Sequence, residues 1–145
     1  MPTDVDPARL AEDLRAVIGQ LVRSARQVDQ LPAAEAAALG VLDRDGPHTT
    51  AQLASQRRVR HQSMAKIMHR LTETGLVAKV PHDTDRRMVL LRITAAGREA
   101  LNAERAHRAD WLAAAITAEL TETQRRQLDR CVPLLVKLAE AGRLL

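Results

Sequence analysis

The sequence predicts a mainly α-helical protein with one small β-hairpin. Three observations carry that reading. Apolar residues recur at i, i+3, i+4 and i+7 through most of the 145 positions. Two short runs rich in Val, Leu and Ile flank the polar segment PHDTDRR near residue 84. Pro, Gly and Thr fall between the periodic segments, where caps and turns need them.

Taken in order, Leu10, Leu14, Val17, Ile18, Leu21, Val22, Ala25 and Val28 make one amphipathic helix of residues 7 to 29, with Pro7 in its first turn. Pro32 starts a second helix, 33 to 44, which Gly46-Pro47 ends. Thr49-Thr50 cap a short third helix, AQLASQ, and RRVR makes a tight connection to a fourth, 61 to 74. In that fourth helix Met64, Ile67, Met68 and Leu71 point inward as core residues, while Gln62, Ser63, Lys66, His69, Arg70 and Glu73 remain on the polar faces. Gly75 closes it. Leu76 to Val80 and Met88 to Ile93 are the hairpin strands, with Pro81 tolerable at an edge. Thr94 caps a fifth helix running to about residue 118, polar nearly all round in its middle. Thr121 and Gln124 form a capping box for a sixth, whose stripe is Leu128, Val132, Leu135, Leu138 and Ala139. Pro133 predicts a kink or break within it. The apolar stripes at the two ends of the chain are expected to bury each other, within one chain or across a dimer.

Composition narrows the function. No apolar run is long enough to span a bilayer, and the acidic, polar N-terminus lacks the pattern of a secretory signal, so a cytoplasmic location and no membrane partner are expected. The single cysteine, Cys131, excludes an internal disulfide and a multi-cysteine zinc site. His61, His69, His82 and His107 lack tight ligand spacing, although His82, Asp83 and Asp85 are close in sequence, and no metal or cofactor is expected. There is no nucleophile elbow, no Gly-rich phosphate loop and no HExxH, so no enzyme is expected. The net charge is +4, yet the segment from Arg57 to Arg98 holds ten Lys/Arg against three Asp/Glu. A basic middle between neutral to acidic ends is the pattern of a polyanion-binding face.

A short helix, a tight turn, a helix with a polar basic face and then a hairpin is the winged helix-turn-helix order. The second helix of the pair fits the major groove of duplex DNA, where Gln, Ser and Lys can address base edges. An arginine at the hairpin tip fits the minor groove of A·T-rich DNA, where negative potential is enhanced. An aspartate beside it could fix its direction.

Residues 49 to 97, TTAQLASQRRVRHQSMAKIMHRLTETGLVAKVPHDTDRRMVLLRITAAG, resemble the DNA-binding region of MarR-type transcriptional regulators. The likeness rests on GLV after the recognition helix, on DRR in the wing, and on RITAAG opening the next helix, with Asp85, Arg87, Thr94 and Gly97 in the wing pattern. It implies an N-terminal dimerisation helix (1–31), a winged helix-turn-helix (32–94) and C-terminal dimerisation helices (95–145). It further implies a homodimer that binds double-stranded DNA as a ligand-responsive repressor. By the same resemblance Arg87 is the minor-groove residue, Asp85 orients it, and Arg86 touches phosphate. Gln62, Ser63 and Lys66 face the major groove, and Arg70 anchors the DNA backbone or the helix packing. Arg60 stands where the family often has a small capping residue, which predicts a weak cap and a phosphate contact instead. Lys79 replaces an arginine that often follows GLV and one residue.

His107, Arg108 and Trp111 lie one turn apart and are candidates for a pocket that takes a small aromatic or anionic effector. Cys131, on the apolar stripe of the last helix, is expected to be buried. Two alternative functions go with these features: a winged-helix module that binds protein, and a thiol-based redox regulator acting through Cys131.

Overall fold

A computed structural model describes residues 4–81, 84, 85 and 87–142. Asp6 opens α1 (Pro7–Ala25) by accepting the Ala8 N–H at 3.0 Å, which satisfies one of the donors that every helix start leaves free. One 3₁₀ turn, Arg26–Val28, follows. α2 is Ala33–Asp45, α3 is Thr50–Arg57 and α4 is His61–Glu73. The antiparallel strands β1 (Val77–Pro81) and β2 (Val89–Ile93) pair Val77 with Ile93 and Pro81 with Val89. α5 (Ala95–Glu119) and α6 (Glu122–Ala141) complete the chain. The predicted helices and strands are all present, with ends displaced by a few residues at most.

The chain divides into two compact units between Arg108 and Ala109. In the first, Ala38, Leu39, Val41 and Leu42 of α2 share one core with Leu53 of α3 and Met64, Ile67, Met68 and Leu71 of α4. Val77, Leu91 and Ile93 of the hairpin and Leu101 of α5 join them. Each Leu, Ile, Val or Met side chain among them contributes about 1.5–3 kcal/mol when fully buried. That core is what holds α4 and the hairpin against the same support. A connection not visible in the sequence reinforces it: His48 exchanges backbone hydrogen bonds with Leu91 at 3.1 and 2.8 Å, so β2 is bonded on both edges. One residue carries no period, and pattern reading cannot find it.

Thr49 caps α3 with the reciprocal Thr49–Gln52 bonds of a capping box at 3.1 and 2.9 Å, and Thr121 does the same for α6 with Gln124 at 3.3 and 2.9 Å. In the second unit Arg125 Nη2 donates to the Thr117 carbonyl at 2.7 Å, one of the acceptors that the end of α5 leaves unpaired. The break expected at Pro133 does not occur. α6 runs unbroken through Pro133: a proline removes one N–H, the partner of the Asp129 carbonyl, and on an exposed helix solvent takes that acceptor. Within the single chain Cys131 is exposed, as is the whole apolar stripe of α6, with Leu128, Val132, Leu134, Leu135, Val136 and Leu138 at 38–60%. In the first unit, Leu10, Val17, Ile18, Leu21 and Val22 of α1 are likewise 44–52% exposed. No helix is long and apolar enough, among the described residues, to cross a membrane.

Candidate nucleic-acid interface

The geometry of the site follows from how α4 is held. Met64, Ile67, Met68 and Leu71 bury one face of the helix, which forces the opposite face outward by the 3.6-residue period. Gln62, Ser63, Lys66 and Arg70 are all exposed on it. Gln62 and Lys66, and Lys66 and Arg70, are each four residues apart, so the three long side chains form a row along the axis. Arg60 is the N-cap and makes no capping bond through its side chain. Thr74 ends the helix, and Gly75 at φ 77 reverses the chain into β1.

Arg70 differs from its neighbours in the row. Its Nε donates to Glu35 Oε1 at 2.7 Å, and the Glu35 carboxylate is only 11% exposed in the first turn of α2. The guanidinium thus ties the last turn of α4 to α2. Lys66 has no ion-pair partner among the described residues, and His69 pairs with Glu73 at 3.1 Å.

In the hairpin, Asp85 Oδ1 accepts the backbone N–H of Arg87 at 2.9 Å and the Asp85 carbonyl accepts the Met88 N–H at 3.1 Å. This is an Asx-type turn. These two bonds fix the main chain from Asp85 to Met88 just before β2. Arg86, with His82 and Asp83, lies outside the described residues. Lys79 on β1 lies opposite Leu91.

Of the effector residues, Arg108 is already committed. Its Nε and Nη2 donate to Asp29 Oδ1 and Oδ2 at 2.7 and 2.6 Å. The hydrogen bond from Arg108 holds the Asp29 carboxyl below its ordinary range, and Asp29 raises the guanidinium in turn. His107 is half-buried beside it on α5 and Trp111 belongs to the second unit. Sequence reasoning missed Glu35, Asp29 and Glu104. Glu104 is 3% exposed and accepts the Gln30 N–H at 2.8 Å. A charged residue in a polar stretch carries no sign of burial; only its fold partner reveals it.

Comparison with known proteins places this geometry. The MarR family profile matches residues 29–88. An HTH-type transcriptional regulator of Mycobacterium tuberculosis is 32% identical over 136 residues, covering 92% of this chain and 94% of the relative. The chain belongs to the MarR family. A solved structure of a transcriptional regulator from Pseudomonas aeruginosa is 31% identical, covering 92% of this chain and 96% of that one with a TM-score of 0.75. A MepR variant from S. aureus, solved bound to an oligodeoxyribonucleotide, has the same fold at 15% identity and a TM-score of 0.66, covering 90% of this chain and 97% of that one. As a MarR-family protein the chain is a transcriptional regulator with a DNA-binding winged helix, and not an enzyme.

Proposed function

We propose that this MarR-family chain is a homodimeric repressor that binds a pseudo-palindromic operator and releases it when a small aromatic or anionic effector binds. The observation that carries the DNA-reading part is the exposed polar face of Gln62, Ser63 and Lys66, held outward by the buried face of α4 next to a hairpin that presents Arg87. Those three side chains address base edges in the major groove. Arg87 enters the minor groove, and Arg60 and Arg86 touch phosphates. That a MepR variant of the same fold was solved bound to an oligodeoxyribonucleotide supports DNA as the partner.

The exposed apolar faces of α1 and α6 support a second copy, because contiguous apolar surface of this kind marks an interaction site. Two-fold symmetry sets half-sites about one helical turn, roughly 34–36 Å, apart. Effector control draws on a cavity of about 230 Å³ in the first unit, lined by Arg26, Glu104, Arg105 and Arg108 and by the alanines of α2. Bound there, an effector shifts the population toward helix spacings that do not fit both half-sites.

The test is selection of bound duplexes from random DNA by the purified protein. An inverted repeat, with affinity falling linearly in log salt, supports the proposal; recovery of no motif favours a winged helix that binds protein. Arg87→Ala is expected to weaken binding to the selected duplex by about 1–3 kcal/mol at unchanged Tm, read by fluorescence anisotropy and thermal melting. An unchanged Kd removes the wing from the interface. Arg70→Ala and Glu35→Ala are expected to weaken binding to similar extents without changing the salt slope, because each loosens α4 from α2 rather than vacating a phosphate. A slope reduced in Arg70→Ala alone makes Arg70 a backbone contact instead. A second mode of control, oxidation of Cys131, requires that thiol to stay accessible in the dimer. In that case peroxide changes the DNA affinity of the native chain and leaves Cys131→Ser unaffected.

A further inference from the structure

The connection between α3 and α4 is built from residue types that its backbone does not favour. Arg58 N–H donates to the Ser55 carbonyl at 3.1 Å and Val59 N–H to the Ala54 carbonyl at 3.0 Å. This pair of bonds is a Schellman closure, which needs a left-handed residue at its hinge and is most often served by glycine, having no Cβ to clash. Here the hinge is Arg58, at φ 53 and ψ 44, and it alone among the described non-glycine residues has a positive φ. Two positions on, Arg60 is the N-cap of α4 and makes no capping bond, where Ser, Thr, Asp or Asn would satisfy a free N–H. The chain caps α3 and α6 with threonine boxes. At this turn it forgoes two stabilising choices, and both positions hold arginine.

Nothing among the described residues compensates. Arg57, Arg58 and Arg60 are all exposed. No ion pair joins any of them to a described carboxylate, and the first turn of α4 contains no acidic residue. Positions that break a local stability rule without an internal partner mark functional contact with something outside the chain. Resting on the DNA-binding reading above, we infer that Arg58 is a DNA phosphate contact and that the α3–α4 turn, through Arg58 and Arg60, grips the backbone beside the groove that α4 enters. A planar guanidinium matches phosphate in charge and in hydrogen-bond geometry. Such a contact carries no base preference. It sets the depth and register of α4, which then reads the bases.

The test sets stability against affinity in one variant. Arg58→Gly is expected to raise Tm by about 2–4 °C, because glycine relieves the left-handed strain. The same substitution is expected to weaken binding to a fluorescein-labelled, mixed-sequence duplex of about 30 base pairs by roughly tenfold per lost contact at 0.1 M salt, and to reduce the slope of log affinity against log salt by about 0.9 per contact. Arg60→Ser is expected to behave in the same way, and Arg58→Lys to keep both the native Tm and the native slope. A raised Tm with unchanged affinity and slope for Arg58→Gly overturns the inference, as does a lowered Tm, which would reveal an internal role for the side chain. If the native chain binds no duplex even at low salt, the DNA-binding reading itself is removed, and the inference with it.

Discussion

Gly97→Ala is expected to destabilise the fold by about 3 kcal/mol and to lower Tm by about 6–12 °C. A Cβ built on Gly97 lies 2.2 Å from the Leu76 carbonyl oxygen and 2.7 Å from Ile93 Cγ1. The oxygen cannot yield cheaply, because it accepts the Thr94 N–H at 3.0 Å. Thr94 is fixed in turn: its hydroxyl donates to the Gly75 carbonyl at 2.6 Å and accepts the Gly97 N–H at 3.0 Å. The start of α5 is thus bonded to the turn between α4 and β1, and only a hydrogen at position 97 leaves room for that approach. Gly40→Ala is the matched control. Its Cβ meets nothing within 4 Å in the interior of α2, so a gain of up to about 1 kcal/mol is expected. Urea denaturation of the three proteins decides the matter. Equal midpoints for Gly97→Ala and the native chain would show that α5 does not pack against the turn in this way.

The same stretch shows why the sequence was legible where it was. RITAAG contains a cap residue, a helix start and a close-approach glycine at fixed offsets, each with its own chemistry, so it announces a junction. The helices were readable for a similar reason. Met64, Ile67, Met68 and Leu71 repeat at the helical period because they all face one core, and the polar face of Gln62, Ser63 and Lys66 is what remains opposite. The capping box at Thr121 set the start of α6 to the residue, and Thr49-Thr50 placed the start of α3 within one residue.

Long-range polar contacts left no such trace. Glu35 and Arg70 are 35 positions apart, and Asp29 and Arg108 are 79 apart; neither pair has a period or a motif. Arg108 therefore reads in the sequence as an available cation, whereas in the fold both its fork nitrogens are used. The same limitation applies to α6. Proline is a strong helix breaker in a packed interior, but the surroundings of Pro133 are exposed, and exposure is a tertiary property. Arg58 is a different case. Its left-handed conformation belongs to a local hydrogen-bond motif, yet nothing in RRVR distinguishes that residue from the arginines on either side.

Arg108→Ala is expected to destabilise the first unit by about 2 kcal/mol at neutral pH. The loss comes mainly from Asp29, whose side chain is 7% exposed and would keep its charge without its two donors. The arginine itself is 38% exposed, so solvent screening reduces the effect from the 3–5 kcal/mol typical of a fully buried pair. Asp29→Asn is expected to cost less, because the exposed guanidinium can be rehydrated. The pair also makes a pH signature. The folded carboxyl titrates below its ordinary value because Arg108 donates to it, so the folded state binds its proton less readily than the unfolded state, whose aspartates titrate near about 3.9. The stabilisation is therefore fully present above the unfolded value and is lost as pH falls through the folded one. The raised guanidinium acts only at very alkaline pH. The difference in unfolding free energy between the native chain and Asp29→Asn should stay constant from about pH 7 to 5 and shrink below about pH 4. A difference that instead grows on acidification would mean that the folded carboxyl prefers its protonated form, and would reverse the role assigned to Arg108.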